Sequence, residues 1–480
     1  MAVRPALCVA GTASIGLVVG CSSPFDSARD LPRAHARTIP THADPHPSSA
    51  FRDPQPSTLA LALSPDSTPD EYVRFAQYHN PAVEAAYQKW MAATERLPQV
   101  AALPDPRLNF GFFLNEVETR VGPQQARVGV SQTLPWMGKL RDREYAAARA
   151  ALASWREFEG ERLRIAERVV SSLHELAYLD AAIRVARENL DLVASFEQVV
   201  RARYRVGEGS HPELVRVQVE LGTLQDRLAR LESLRPAFVA DLNAALNRSP
   251  DAEIAPVAAL PEWVVSVDSL ALCGLALRSN PTLLAFEERA EEQRILGEAA
   301  RKDGLPDLTV GLEYIVTDDA MDSSIPESGD DPVLLTFSVN VPVWREKYDA
   351  GVRETIARRL AISHQRGDQA NRIQAEIRRA WFEHTDADRR VSLYEHTLIP
   401  KAEESLRASL AGFRAGEASF LDLLDTERTL LEFAVASERA RADRGKALAR
   451  LNMLVGAPVP TRPAGQASAR SSNSRQEDDS

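Results

Sequence analysis

The sequence is poor in the residues that carry chemistry. Its 480 residues include three cysteines and nine histidines. Cys8 and Cys21 stand near the front and Cys273 stands alone in the body, so no disulfide framework is available. Cysteine and histidine give no metal-site signal. Met91, Met137, Met321 and Met453 are scattered, whereas a soft-metal path requires clustered thioethers. There is no Ser-His-Asp pattern and no phosphate-cradling loop. His211, His364, His384 and His396 fall on helical or turn segments and are expected to be solvated. The net charge of −11, with bases interleaved among acids, offers no surface for nucleic acid. These absences argue against an enzyme and against any cofactor or resident metal.

An apolar run lies at the front. Arg4 precedes Ala6 to Gly20, and Cys21 follows. A charged start, a short apolar stretch and a small residue before the break have the form of a secretory signal over 1–20. The run is too short to cross a bilayer comfortably. Leu17-Val18-Val19-Gly20-Cys21 resembles the lipobox of bacterial lipoproteins, which implies cleavage before Cys21 and acylation of its thiol. Ser22 and Ser23 follow, without the aspartate that retains lipoproteins at the inner membrane, and this implies an outer-membrane destination. Residues 21–67 are rich in Pro, Ser, Asp and His and read as a flexible segment.

What is present is a repeat. Thr68-Pro69-Asp70-Glu71 starts a short helix with a cap, a first-turn proline and a capping-box acid. Asn80-Pro81 breaks it and opens a second helix. After Leu103-Pro104-Asp105 the period changes to two: Leu108, Phe110, Phe112 and Leu114 alternate with smaller or polar residues. Val128 and Val130 do the same beyond a predicted loop from Glu116 to Gln125. Leu134-Pro135-Trp136 ends that strand. A helical pattern then runs unbroken from Lys139 to Val206, roughly 100 Å at 1.5 Å per residue. Its return partner carries Leu214, Val217, Leu221, Leu224, Leu228 and Leu231, spaced three and four as in a coiled-coil seam.

A proline-containing linker, 247–267, separates this half (68–246) from a second one (268–457). Asn280-Pro281, Leu305-Pro306-Asp307 and Val341-Pro342-Val343-Trp344 echo the earlier motifs in order. Strands at Leu308–Tyr314 and Val333–Val339 flank an acidic loop. A second long helix, Arg345 to about Ala415, is followed by its return from Ser419 to about Leu454. The two turns match as well. Tyr204-Arg205-Val206-Gly207-Glu208-Gly209-Ser210 and Phe413-Arg414-Ala415-Gly416-Glu417-Ala418-Ser419 both read aromatic-Arg-small-Gly-Glu-small-Ser. The offset grows from 200 positions at the Asn-Pro pairs to 209 at the turns, a drift that small loop insertions explain and that supports a tandem duplication. Residues 458–480 read as a disordered tail.

Four strands of bilayer-crossing length, apolar on one face, cannot close on themselves, and an open edge in lipid leaves backbone groups unpaired. Three chains would supply twelve strands, so the strand count favours a trimer. The long helices carry charge on nearly every turn and are expected to project into water. A lipid-anchored periplasmic coiled-coil scaffold is the alternative, separable by channel conductance.

The two strand-strand-hairpin halves, the paired turns and Leu421-Asp422-Leu423-Leu424-Asp425 after the second turn resemble TolC-family outer-membrane efflux proteins over Thr68 to Val459. The resemblance implies a mainly α fold with a small β part. In it a homotrimer forms a twelve-stranded β-barrel, four strands per chain, continuous with a long α-helical barrel. It further implies the exit duct of a tripartite pump, working with a periplasmic adaptor (membrane fusion) protein and an inner-membrane transporter, RND type being the expected one. Ser131-Gln132-Thr133-Leu134-Pro135-Trp136-Met137-Gly138-Lys139-Leu140 is most similar to the heavy-metal branch of CusC- and CzcC-like members. The cargo stays open among metals, drugs and secreted proteins, the last being the duct of a type I secretion system. Asp422 and Asp425 match the acidic ring at the periplasmic gate. Val206, Gly207, Glu208, Gly209 and Ser210, with Ala415, Gly416, Glu417, Ala418 and Ser419, match the adaptor-contact tips. The family's gate-holding tyrosine and arginine are absent: Phe413 and Ala418 stand there, leaving Arg414, Glu417 or Arg216 as substitutes.

Overall fold

The computed structural model describes residues 63–464 except 65, 208, 258, 259, 323, 325 and 416. The expected signal, the acylated Cys21, most of 21–67, and the tail from 465 lie outside the described residues. The elements follow as α1 (Pro69–His79), α2 (Pro81–Ala101), β1 (Arg107–Thr119), β2 (Gly122–Leu134), α3 (Lys139–Arg205), α4 (His211–Leu246) and β3 (Trp263–Val265). The second half gives α5 (Ser269–Ser279), α6 (Pro281–Asp303), β4 (Leu308–Thr317), β5 (Val333–Val339), α7 (Arg345–Leu393), a π turn (Tyr394–Leu398), α8 (Ile399–Ala415), α9 (Phe420–Val455) and β6 (Thr461–Pro463).

The Asn-Pro echo has a physical cause. Asn80 Oδ1 accepts from Ala82 N–H at the start of α2, while its amide donates to the Ala245 carbonyl at the end of α4, at 2.9 Å. Asn280 does the same for α6, accepting from Thr282 N–H and donating to the Leu454 carbonyl at the end of α9, at 2.8 Å. One side chain thus supplies an acceptor to one helix start and a donor to another helix end, two places where backbone groups lack intrahelical partners. Both asparagines are buried.

The four long strands form one antiparallel sheet in the order β1-β2-β4-β5. In register, Phe110 sits opposite Val128, Val128 opposite Tyr314, and Tyr314 opposite Val333. One face is therefore a continuous apolar surface, and it is exposed: Phe110 is 67% and Phe112 78% accessible. The other face carries Arg127 and Glu313 over glycines of the neighbouring strand. A Cβ at Gly129 would come within 2.7 Å of Glu313 Cγ, so only glycine leaves room there. The loop expected at Glu116 to Gln125 is instead mostly strand, with a tight turn at Arg120 and Val121. A register shift between Phe112 and Val117 absorbs the change from apolar to polar sequence, and the ladder continues because polar side chains do not prevent backbone pairing. The acidic loop folds over this hairpin end, with Gly329 N–H donating to Val121 O and Arg120 paired to Glu327 at 2.9 Å.

The repeated motifs meet where sheet becomes helix. Asp307 Oδ1 accepts from Trp136 N–H and from Lys139 Nζ, both at 2.7 Å, and Lys139 also donates to the Leu305 carbonyl. From there α3 runs 67 residues without interruption.

Three further expectations are corrected. The second long helix is not continuous to Ala415: five residues form a π turn just before Pro400. Proline has no N–H and its ring crowds the carbonyl four residues earlier, so a wider turn accommodates it. The segment after Pro458 does not leave the fold at once, because Thr461–Pro463 pairs with Trp263–Val265 of the linker. His384 is not solvated. It is fully buried, its Nδ1 set against the Arg444 carbonyl and its Nε2 accepting from Val265 N–H, so the imidazole is neutral and pins this small strand pair to α7 and α9.

Candidate functional site at the hairpin tips

Both hairpins turn by the same device. In the first, α3 ends at Arg205, Gly207 takes a left-handed φ of +80°, and Ser210 begins α4. Ser210 Oγ accepts from Glu213 N–H while the Glu213 carboxylate accepts from Ser210 N–H. In the second, Glu417 and Ala418 N–H both donate to the Gly412 carbonyl, closing α8. Ser419 then begins α9: its Oγ accepts from Asp422 N–H at 3.2 Å, and Asp422 Oδ2 accepts from Ser419 N–H at 3.2 Å. These are reciprocal capping boxes, and they explain why both turns end on serine. Glu208 and Gly416 lie outside the described residues.

The helices converge on an apolar cluster. Val193, Phe196 and Val200 of α3 and Val217 and Leu224 of α4 pack with Phe413 of α8 and with Phe420, Leu423, Leu424 and Leu431 of α9. The Phe413 and Phe420 rings lie 5.6 Å apart. The link between the two tips comes from Arg203, whose guanidinium lies over the Phe413 ring and bonds the Phe413 carbonyl. That carbonyl belongs to the last turn of α8, where backbone oxygens are unpaired and the helix dipole favours a cation. The suggested substitutes Arg414, Glu417 and Arg216 are all exposed to solvent instead. Arg203 was not legible beforehand, because nothing in the sequence places it beside a residue 210 positions away.

Asp422 and Asp425 are both exposed. They differ in role, however. Asp422 is the capping-box acid of α9, whereas the Asp425 side chain is 75% accessible and lies 3.8 Å from Arg428. Of the other tip residues, Val206, Gly207, Ser210, Ala415, Glu417 and Ser419 are exposed and Gly209 and Ala418 partly so. Val206 is 71% accessible and forms an apolar point at the first tip.

Two turns into α9, Glu427 is fully buried, and among the described residues neither carboxylate oxygen makes a well-aligned hydrogen bond. Burial pushes its pKa up to about 7; the Asn189 amide pulls against this, and the nearby Glu220 carboxylate adds a smaller push upward. Glu220, itself buried, is ion-paired with Arg428. Sequence reading missed Glu427 because it stands among charged neighbours on a helix whose other acids are solvated.

Residues 73–248, and again residues 272–457, match the family described as outer membrane efflux protein. The chain belongs to the outer membrane efflux protein family. The double match agrees with the duplicated architecture. Among curated relatives of this efflux protein, the cobalt-zinc-cadmium resistance protein CzcC of Cupriavidus metallidurans is 24% identical over 391 residues, covering 78% of this chain and 84% of that one. Among solved structures, CusC superposes with a TM-score of 0.67 at 16% identity, covering 87% of this chain and 99% of the other. The outer membrane protein VceC of Vibrio cholerae gives 0.65 at 18% identity, covering 82% and 97%. The efflux protein is thus an outer-membrane channel of TolC-like fold. Its sheet is the membrane part and its helices are the periplasmic part. Among the described residues no helix is long and apolar enough to cross a membrane.

Proposed function

We propose that three copies of this chain form the exit duct of a tripartite efflux pump, with the hairpin tips as a periplasmic gate. The observation that carries the reading is the four-stranded sheet whose outer strands, β1 and β5, have no partner on one side among the described residues while its apolar face is exposed. Unpaired backbone in lipid costs several kcal/mol per group, and closure with sister chains removes that cost. Four strands from each of three copies give a twelve-stranded barrel with an aqueous lumen.

At the other end, Asp422 and Asp425 from each copy would form an acidic ring that favours cations. Metal cations are the cargo best suited to such a ring, and CzcC, a relative named for cobalt, zinc and cadmium resistance, supports that choice. The exposed tips Val206 to Ser210 and Ala415 to Ser419 are the docking points for a periplasmic adaptor, which links the duct to an inner-membrane transporter of RND type. Cys21 is the acylation site that adds a lipid anchor. Each chain contributes a first half over 68–246 and a second over 268–457, joined by the linker 247–267.

The test is reconstitution in a planar bilayer with chemical cross-linking. Trimers and a low resting conductance with cation preference are expected. A monomeric, non-conducting species would support the lipid-anchored scaffold instead.

A further inference from the structure

Inside the tip bundle lies a set of buried acceptor oxygens that make no well-aligned hydrogen bond among the described residues. Glu427 is 0% accessible, and neither of its oxygens makes a well-aligned hydrogen bond among the described residues. The polar side chain set against it is Asn189 of α3, an amide contact that favours the ionised form and partly offsets the effect of burial, while the buried Asn189 Oδ1 has no partner of its own among the described residues. From α4, Glu220 adds a second buried carboxylate, already bound to Arg428 of α9, and Arg227 contributes charge at longer range. α8 faces the adjoining Thr426 with the uncharged Ser409, 3.4 Å away. Along α9 the neighbours of Glu427 on its own face are Leu423, Leu424 and Leu431, all buried. A carboxylate in such a place lacks both solvent and a counter-charge of its own. The missing element is a single hydrogen: a protonated carboxyl can donate to an amide oxygen, an ionised one cannot.

We propose that Glu427 is a proton-binding site of the tip bundle. With the proton on, its carboxyl donates to Asn189 Oδ1 and α3, α4, α8 and α9 stay packed. With the proton released to the periplasm, a bare carboxylate buried opposite Glu220 drives the helices apart and the carboxyl into water. Its consequence for transport rests on the gate reading above, because Phe420, Leu423 and Leu424 join this site to Arg203 and Phe413 through one apolar cluster. The neutral form belongs to the packed state. Packing is therefore strongest at acid pH, below the ordinary carboxyl value of 4.5, and weakens as pH rises through about 7. Between those two values each further pH unit shifts the packed-to-loosened ratio by about tenfold, and above about 7, where both states are ionised, the ratio levels off.

The experiment uses the full-length protein in lipid, with Glu427→Gln as the permanently neutral variant and Glu427→Leu as a second that needs no hydrogen bond. Infrared spectroscopy reads the carbonyl stretch of a protonated carboxyl, and a spin label on Glu417→Cys reads the spacing of the tips between copies. The expected result is a band present near about pH 6, lost by about pH 8, and absent from Glu427→Gln, with tip spacing that widens over the same range only when Glu427 is present. A wild-type spectrum without that band would mean that the Asn189 amide nitrogen already serves an ionised Glu427, and the proposal falls. A titrating band with motionless tips overturns the coupling. Tips that move while bilayer conductance stays constant would leave the proton site standing and remove the gate reading.

Discussion

The Arg203 guanidinium carbon lies 4.9 Å from the centre of the Phe413 ring, and its Nη1 donates to the Phe413 carbonyl at 3.2 Å. The pair joins the first repeat to the second within one chain. Phe413 is buried, so the contact is sheltered from water on the ring side.

Removing this contact should loosen the gate. A desolvated cation–π pair together with a charged hydrogen bond contributes about 1.5–3 kcal/mol, or about ten- to hundredfold in an open-to-closed ratio. Arg203→Ala is expected to raise resting conductance in bilayers by at least about tenfold, while Arg203→Lys, which keeps charge but not the planar stacking, recovers only part of the closure. Equal resting conductance in all three proteins would count against a latch at this position.

The two aspartates should separate into charge and folding roles. Asp425→Asn is expected to lower cation preference, read as a shift of reversal potential in a salt gradient, without altering stability. Asp422→Asn removes charge yet keeps an acceptor for Ser419 N–H, whereas Asp422→Ala also loses the capping box and should cost about 1 kcal/mol in a denaturant melt. If neither neutralisation changes selectivity, the acidic ring is not at the constriction.

The paired asparagines should matter equally. Replacing Asn280 or Asn80 by alanine removes a helix cap and leaves a buried carbonyl at the end of a second helix, a loss of about 2–4 kcal/mol from the two effects together. Because Ala245 and Leu454 are the equivalent acceptors in the two halves, the two variants should show similar drops in melting temperature.

Acid should weaken the middle of the helical body through His174. Burial first, then the charges of Lys446 and Arg444, pull its pKa down from 6.5 to about 4. A base whose folded value is depressed binds fewer protons when folded, so its contribution is complete above 6.5 and is lost as pH falls toward about 4, amounting to about 3 kcal/mol. Melts of His174→Leu should show a flatter stability profile across that interval. Its ring also fills the space over Gly445, so Gly445→Ala should destabilise the protein and His174→Ala should relieve that cost in the double variant.

Much of this fold was legible in the chain itself. Local rules determined it: Asn-Pro and Ser-x-x-acid mark helix starts, alternating Leu108, Phe110 and Phe112 mark a strand, and the repetition of these signals in one order marks a duplication. The apolar faces, the long helices and the serine-capped turns follow from residues within a few positions of one another. What the tertiary structure alone decided are contacts between residues that lie far apart in sequence. Arg203 finds Phe413, Asn280 finds the Leu454 carbonyl, His384 closes a strand pair formed by the linker and the residues after Pro458, and Glu427 loses its water among residues of α3 and α4. Periodicity tells which side of a helix is buried but not which helix buries it. An acid on that side therefore reads the same as its solvated neighbours until the packing removes the solvent.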